Sequence, residues 1–213
     1  MNKILFIITA FSPENAIGSV RLTKIVKFLV RKGCDITVIS PELHSMTNMD
    51  NSLESKELIK IARITLPQSY FFTKIFLKQR NKIIKKQSAS NLLKNVNNRG
   101  VIFHIKVELI RFIHFFYTMI RNKDWSRQVI KYSKLNFEIS EFDVVISSYP
   151  SLASPWSSHS IKKLKIADKW ICDFRDPINY KNNSNFILFR LNTLLQNNIL
   201  KYADCVTHVS HGI

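Results

Sequence analysis

Short apolar runs alternate with amphipathic stretches along most of the chain. Residues 4–9 form an apolar run without alternation, which predicts a strand buried on both faces. Residues 20–31 repeat apolar side chains at the period of a helix packed on a sheet, with Ser19 as the predicted N-cap and Gly33 as the C-terminal stop. Residues 35–40 predict the next strand. This βαβ order is the opening of a doubly wound fold.

The same alternation of strands and helices continues to the end of the sequence. The further predicted strands are residues 59–66, 143–148, 166–172 and 204–209, and the further predicted helices are residues 101–121, 124–139, 153–164 and 186–202. The sequence therefore predicts an α/β protein with a doubly wound, mostly parallel, Rossmann-like sheet. Because no covering helix follows the last predicted strand, we expect the chain to be the front part of a longer protein.

A cluster of charged residues follows one of the predicted buried strands. Asp173, Arg175 and Asp176 come directly after the apolar run at residues 170–172, and Pro177 stops further regular pairing. Charges in this position are costly to bury unless they pair or contact a ligand. Ligands of open α/β sheets collect at the carboxyl ends of strands. The cluster is therefore either a ligand site or an Asp–Arg pair that holds a loop.

The loop between the first predicted strand and helix carries one glycine, Gly18. The dinucleotide-binding fingerprint needs three, so the loop does not match it. A glycine just before a helix N-terminus still leaves backbone N–H groups free for a phosphate, and Arg21 lies one helical step further on. The alternative is a glycine that only the turn requires.

The net charge of +17 is concentrated in one part of the chain. Residues 70–121 carry 11 basic and one acidic side chain, a net charge of +10 in a segment rich in aromatic residues. This composition predicts a local basic surface that docks on an anionic membrane. Nucleic acid is not expected as a partner, because the sequence contains no recognisable reader motif. The predicted helix at 101–121 is apolar around most of its circumference, so it lies either in the core or in a membrane interface.

The sequence argues against a metal site, a membrane span and a signal peptide. The three cysteines, Cys34, Cys172 and Cys205, lack paired spacing and fall in or beside predicted strands, which predicts buried thiols in a reducing compartment and no metal site. No run of eighteen apolar residues predicts a membrane span. The first apolar run is interpreted as a strand and not as a signal peptide, because it is short and lacks a cleavage site.

Six segments of the chain match a known pattern in order and spacing. They are residues 18–22 (GSVRL), 29–40 (LVRKGCDITVIS), 124–125 (DW), 142–150 (FDVVISSYP), 170–177 (WICDFRDP) and 203–210 (ADCVTHVS). Together they resemble the N-terminal half of a GT-B-type glycosyltransferase, in particular the retaining family 4 group of polysaccharide and lipopolysaccharide assembly. Residues 70–121 match least, and we expect a basic, aromatic helical insertion there within a single domain spanning residues 1–213.

The resemblance implies an enzyme of two Rossmann-like domains that reacts in the cleft between them. The C-terminal domain, which holds most of the nucleotide-sugar, is absent from this sequence. The contact to the donor diphosphate maps to Gly18 and Ser19, with Arg21 nearby. The acceptor wall maps to polar residues on two later loops: Ser148, Tyr149, Ser151, Asp173, Arg175 and Asp176. The nucleotide-sugar is a co-substrate, and no resident cofactor is implied.

The resemblance also has departures and an alternative. Some relatives carry a histidine where this chain has Tyr149, and many carry a tryptophan where it has Ile178. Asp173 or Asp176 is expected to orient the acceptor hydroxyl in the full-length enzyme. We expect a cytoplasmic protein that is peripheral on the inner face of the membrane. The alternative is a truncated or split domain that binds an acceptor or a partner and transfers nothing.

Overall fold

The architecture is known from a computed structural model of the 213-residue chain. It describes residues 2–42, 49–67, 101–149, 151–174 and 186–208, with side chains from residue 109 onward in the third of these ranges. The chain divides into two compact units, one formed by Met1–Gln68 with Asn122–Ile213 and the other by Ser69–Arg121.

Six parallel strands in the described residues form one sheet. The strands are β1 (Lys3–Ile7), β2 (Asp35–Pro41), β3 (Ala62–Leu66), β4 (Phe142–Tyr149), β5 (Ala167–Phe174) and β6 (Cys205–His208). The helices are α1 (Ile17–Arg31), α2 (Lys56–Ile59), α3 (Val101–Asn136), α4 (Ala153–Lys163) and α5 (Phe186–Tyr202), with a 3-10 turn at Asn51–Leu53. The strand order β3-β2-β1-β4-β5-β6 confirms the predicted doubly wound, Rossmann-like fold.

The core forms where the predicted apolar runs meet. Four of the five residues of β1 are buried, because β1 pairs with β2 on one side and β4 on the other. Leu22 and Val26 of α1 pack with alternate residues of β1 and β2, such as Phe6 and Val38. Burial of side chains of this size contributes about 1.5–3 kcal/mol each. This packing places the N-terminus of α1 beside the carboxyl end of β1.

The first helix begins earlier than the sequence predicted. Its N-cap is Ala16 and its first residue is Ile17, so the prediction of Ser19 as the N-cap is wrong. Ser19 is the third residue of the helix, and its side chain is fully buried and does not cap the helix. The predicted stop at Gly33 is confirmed, since this residue has φ of 84°, a backbone conformation that favours glycine.

The two helices predicted for residues 101–121 and 124–139 are one continuous helix, α3. The sequence between Val101 and Asn136 contains neither glycine nor proline, so no residue interrupts the backbone hydrogen bonds. The predicted strand at 59–66 is also corrected, because residues 56–59 form the short helix α2 and pairing with β2 begins at Ala62.

Strand β5 is longer than the apolar run that predicted it. Asp173 and Phe174 belong to the strand and pair with Ser148 and Tyr149 of β4, so the predicted end at Cys172 is wrong. The strand can continue because the carboxylate of Asp173 accepts hydrogen bonds from other side chains of the fold. A charged residue therefore ends up inside the sheet.

The three cysteines are free thiols with different exposures. Cys172 is buried, as predicted, and Cys34 is partly buried. Cys205 is exposed, which corrects the prediction of three buried thiols. It lies on β6, which is the last strand of the sheet and therefore has a neighbour on one side alone among the described strands.

Candidate functional site

The strand order reverses at the centre of the sheet. β1 and β4 are adjacent, and the chain proceeds outward from them in opposite directions to β3 and to β6. The loops that follow β1 and β4 therefore diverge to opposite faces, which leaves a crevice at the carboxyl ends of these strands. Polar residues at this edge are the candidates for a functional site.

The N-terminus of α1 opens at this edge. No side chain caps it, and its first turn contains no acidic residue. The N–H groups of the first turn of a helix lack partners within the helix and carry a partial positive charge. Gly18 and Ser19 are the second and third residues of α1, so their N–H groups belong to this set. The Oγ atom of Ser19 is buried and has no hydrogen-bond partner in the described residues, so this hydroxyl points away from solvent.

The best-connected polar group at this edge is the carboxylate of Asp173. Nη2 of Arg21, on α1, donates a hydrogen bond to Oδ1 of Asp173 and forms an ion pair with it. Oγ1 of Thr207 donates to the same oxygen at 2.9 Å, and Oγ of Ser148 donates to Oδ2 at 2.9 Å. Asp173 is 6% exposed, and these three donors supply the hydrogen bonds that a carboxylate needs in a nearly buried position.

Strand register explains why these hydroxyls meet the carboxylate. Ser148 of β4 pairs with Asp173 of β5, and Asp173 pairs with Thr207 of β6. Paired residues of adjacent parallel strands point to the same face of a sheet. The three side chains therefore form one polar row, here called the Asp173 row, on the face that α1 covers. Thr207 was not among the site residues that the sequence predicted. Its position near the end of a predicted strand, like the positions of Ser148 and Asp173, could have indicated that it belongs to this row.

A small cavity joins the two predicted halves of the site. Its volume is about 20 Å³, which is room for one water molecule. It is lined by residues of the β1–α1 loop, of α1 and of β4: Thr9, Ala10, Gly18, Arg21, Leu22, Ser148 and Tyr149. The structure therefore brings Gly18, Arg21, Ser148 and Tyr149 together around one cavity.

Two of the predicted site residues, Tyr149 and Ser151, also have contacts that support the fold. The ring of Tyr149 stacks on Phe174, with the ring centroids 5.6 Å apart. Oγ of Ser151 accepts a hydrogen bond from the backbone N–H of Ala153 at 3.3 Å, so this residue supports the start of α4. Arg175 and Asp176 lie outside the described residues.

The β1–α1 loop is held in place by an ion-pair network. Oγ of Ser12 donates to Glu54 at 2.6 Å, and Arg63 donates to both carboxylate oxygens of Glu54 at 3.0 and 2.8 Å. Burial acts to raise the pKa of Glu54, but the hydrogen bonds from Arg63 and Ser12 outweigh it and keep the pKa below its ordinary value. The backbone N–H of Ser12 also donates to Thr23 of α1 at 3.3 Å. The loop is therefore fixed relative to α1.

A second polar cluster lies on the opposite face of β4 and β5. Nε1 of Trp170 donates to Oγ of Ser147 at 2.9 Å, and Oγ of Ser147 lies 3.6 Å from Sγ of Cys172. Burial raises the pKa of the Cys172 thiol to about 12. The rings of Trp170 and Tyr202 stack on His159 of α4, and burial together with Lys163 and Lys162 lowers the pKa of this histidine. Ser147, Trp170 and Cys172 are fully buried, so the centre of this cluster is part of the core.

The described residues contain neither a metal-binding cluster nor a membrane-spanning helix. They contain no group of three or more side chains arranged to hold a metal ion. None of the helices in the described part of the chain combines the length and the hydropathy that crossing a membrane requires.

Comparisons with known proteins give limited likenesses. No protein-family model matches the sequence, and no curated protein sequence matches it. One similar solved structure is a UGT transferase from Siraitia grosvenorii in complex with UDP, with 14% identity, a TM-score of 0.35, and coverage of 84% of this chain and 29% of that one. Another is a short chain dehydrogenase from Mycobacterium smegmatis, with 8% identity, a TM-score of 0.34, and coverage of 100% and 93%.

The chain spans less than a third of the length of the transferase. The two similar structures belong to different enzyme classes, and likenesses at these identities and TM-scores carry no information about function.

Proposed function

We propose that this chain is the N-terminal, acceptor-side domain of a GT-B-type glycosyltransferase. The enzyme would move a sugar from a nucleotide-sugar to a glycan or lipid-linked acceptor, in the manner of the retaining family 4 enzymes of bacterial surface polysaccharide assembly. The observation that supports this proposal is the ion pair between Arg21 and Asp173. It joins the second turn of α1 to the motif at residues 170–177, at the edge where the strand order reverses.

The proposed chemistry assigns the donor diphosphate to the N-terminus of α1. During transfer, the bond between the anomeric carbon and the diphosphate oxygen breaks, and negative charge develops on the diphosphate. N–H groups of Gly18 and Ser19 and the guanidinium of Arg21 would stabilise this charge. The acceptor hydroxyl forms the new bond to the anomeric carbon, and its proton passes to the departing diphosphate oxygen. None of these steps requires a covalent nucleophile from this domain.

The acceptor is assigned to the other side of the same edge. Ser148, Tyr149 and Ser151 lie at the end of β4 and in the loop after it, and Arg175 and Asp176 complete the sequence motif. The hydroxyl of Ser148 and both oxygens of Asp173 already have partners within the fold. We therefore assign orientation of the acceptor hydroxyl to Asp176, and Asp173 receives a different role below.

Binding of nucleotide-sugars tests the donor side of this proposal. Ligand-observed NMR with UDP- and GDP-sugars suits a domain that supplies part of the donor site. We expect Arg21→Ala to weaken binding about tenfold or more, because a charge-assisted hydrogen bond contributes roughly 1.5–3 kcal/mol. The matched control is Arg31→Ala, which removes an ion-paired arginine from the other end of α1 and should leave binding unchanged. Equal losses in the two variants would contradict the assignment.

Transfer itself is tested on a protein that joins this chain to a second Rossmann-like domain. We expect such a two-domain protein to transfer sugar in a donor screen. Asp176→Asn should then lower turnover without weakening donor binding. A two-domain protein that binds an acceptor and transfers nothing supports the alternative of a binding domain without catalysis.

An anionic membrane surface is the second proposed partner. Four large apolar side chains of α3, here called the apolar row, are between 45% and 68% exposed: Leu109, Ile113, Phe116 and Ile120. Their spacing of four, three and four residues places them on one helix face. The net charge of +10 over residues 70–121 is complementary to anionic lipid, and apolar and cationic groups together are what a membrane interface binds. Such docking would place the protein on the inner face of the cell membrane.

Vesicle sedimentation tests the membrane proposal. The chain should bind vesicles of phosphatidylglycerol and phosphatidylcholine at low salt, bind vesicles of phosphatidylcholine alone much less, and dissociate at high salt. Phe116→Ser should reduce binding several-fold. Phe28→Ser is the matched control, because Phe28 is equally exposed but lies on α1, outside the apolar row. The proposal is wrong if both variants sediment like the wild type.

A further inference from the structure

Asp173 has the contacts of a residue that holds another side chain in position. Both of its carboxylate oxygens accept hydrogen bonds, Oδ1 from Arg21 and Thr207 and Oδ2 from Ser148. The hydroxyl of Thr207 lies on β6 and that of Ser148 on β4, so the carboxylate is fixed from both sides. It cannot rotate without breaking at least one of these bonds. The orientation of the carboxylate then determines where the guanidinium of Arg21 lies.

Arg21 retains most of its donors after this contact. An arginine carries five N–H donors, and the bond from Nη2 to Asp173 uses one of them within the described part of the chain. The Arg21 side chain is 30% exposed, whereas that of Asp173 is 8% exposed. The ion pair therefore lies at the border between core and solvent, with the arginine on the outer side. Arg21 also lines the small cavity that Gly18 and Ser148 share.

A fixed arginine has an energetic advantage for binding an anion. A free arginine side chain gives up about 2 kcal/mol of rotamer entropy when it is immobilised. If the fold has already immobilised it, ligand binding does not bear that cost again. The same argument applies to catalysis, because a donor that is placed before charge develops needs no reorganisation during the reaction.

We propose that Thr207, Ser148 and Asp173 are positioning residues that hold Arg21 beside the uncapped N-terminus of α1. Arginine and helix N–H groups then form one preformed site for a diphosphate. This inference rests on the donor site proposed above and deepens it, since it adds Thr207 to that site and gives Asp173 a supporting role. The diphosphate touches Arg21 and the N–H groups, and it does not touch Asp173 or Thr207.

Thr207→Val is the sharpest variant, because it removes the hydroxyl while keeping the shape and charge of the site. Asp173→Asn is less clean, since it also removes a negative charge that repels the ligand. With inorganic pyrophosphate as the probe in calorimetry, Thr207→Val should weaken binding about two- to tenfold, the value of one hydrogen bond. Thr207→Ser, which retains a hydroxyl, should bind pyrophosphate as tightly as the wild type. Thr65→Val, on the other edge strand β3, is the matched control and should have no effect.

A second measurement reports on Arg21 without any ligand. Phenylglyoxal modifies accessible guanidinium groups, and mass spectrometry of the peptides gives the rate for each arginine. Thr207→Val and Asp173→Asn should raise the rate at Arg21 several-fold, whereas the rate at Arg31 should stay constant as an internal standard. In an Arg21→Lys background, Thr207→Val should have a clearly smaller effect on pyrophosphate binding.

The two measurements separate the possible failures. A wild-type chain that binds no pyrophosphate overturns the proposed donor site, and the modification rates still decide whether Thr207 and Asp173 hold Arg21. Pyrophosphate binding that is unchanged by Thr207→Val, together with unchanged modification at Arg21, overturns the positioning role and leaves the donor site in place. Tighter binding in Thr207→Val also overturns it, because the contact would then restrain Arg21 away from the ligand.

Discussion

The two faces of β4 and β5 carry polar clusters of opposite character, and the difference begins at two consecutive serines. Ser147 points to the face that α4 covers and bonds to Trp170, while Ser148 points to the face that α1 covers and bonds to Asp173. Ser147, Trp170 and Cys172, at the centre of the first cluster, are at most 1% exposed and carry no charge. The Asp173 row contains a charge and is reached by the partly exposed Arg21.

This comparison separates a core hydrogen-bond network from a site. Each cluster has a nearly buried centre, Asp173 at 6% and Trp170 at 1% exposure, and each is hydrogen-bonded, so these two properties alone do not distinguish them. What differs is the route to solvent: the partners of Asp173 include the exposed Thr207 and the partly exposed Arg21, whereas Ser147, the partner of Trp170, is fully buried. Changes on the α4 face should therefore alter stability alone, and changes on the α1 face should alter binding as well.

The largest expected effect is on the α4 face. Trp170→Ala removes a fully buried ring that stacks on His159 and donates to Ser147, and we expect it to lower the free energy of unfolding by about 3–5 kcal/mol. Urea unfolding measures the change. Trp156→Ala is the control on the neighbouring helix, where the tryptophan is partly exposed and the loss should be smaller. Equal losses would show that Trp170 is not a main support of this face.

A smaller loss of stability is expected on the α1 face, together with a loss of binding. Asp173→Ala leaves Arg21 without its recorded carboxylate partner and leaves two hydroxyls without their acceptor, so we expect a cost of about 2 kcal/mol in urea unfolding. The exposed part of Arg21 regains water, which limits this cost. Pyrophosphate affinity should fall in the folded variant. If pyrophosphate affinity is unchanged in Asp173→Ala, the α1 face affects stability alone, like the α4 face.

The two serines provide the closest matched pair. Ser147→Ala leaves Nε1 of Trp170 buried without its acceptor and should cost about 1–3 kcal/mol of stability while pyrophosphate affinity stays unchanged. Ser148→Ala removes one of three donors to Asp173 and should cost about 0.5–1.5 kcal/mol while lowering that affinity. If both substitutions change stability and pyrophosphate affinity in the same way, the two faces do not differ in function.

The smallest expected effect is the pH dependence of the α4 face. Burial lowers the pKa of His159 below its ordinary value of 6.5 in the folded state, so the unfolded chain binds more protons at acid pH. The free energy of unfolding should therefore be independent of His159 protonation above pH 6.5. It should decrease as the pH falls from 6.5 toward the lower pKa of the folded state. NMR titration of His159 gives that pKa, and His159→Gln should remove this part of the pH dependence.

The sequence predicted those parts of the fold that depend on local periodicity. The bounds of α5, Phe186–Tyr202, coincide with the predicted helix, because an apolar period is a property of the segment itself. The position of Asp173 inside β5 depends on partners 25, 34 and 152 residues away in sequence: Ser148, Thr207 and Arg21. Spacing along the chain does not reveal such contacts. The start of α1 was misplaced for a related reason, since a buried Ser19 looks like a capping serine in sequence.

The candidate site was predicted in part. Gly18, Arg21, Ser148 and Tyr149 were expected at one edge because the carboxyl ends of parallel strands converge there, and they line one cavity. The sequence also offered an Asp–Arg pair as one interpretation of the charged cluster, with Arg175 as the arginine. Within the described residues Asp173 pairs with Arg21, which comes from a different element, while Arg175 lies outside those residues.

The exposed thiol of Cys205 offers a way to watch this edge of the sheet directly. Cys205 and Thr207 are alternate residues of β6, so their side chains point to the same face, roughly 7 Å apart along the strand. A fluorophore coupled to Cys205 would report on its surroundings through its emission. The thiol of Cys172, with its pKa of about 12, should not react, and Cys34→Ser would leave one coupling position among the three cysteines. The chain thus carries a built-in attachment point for optical titrations.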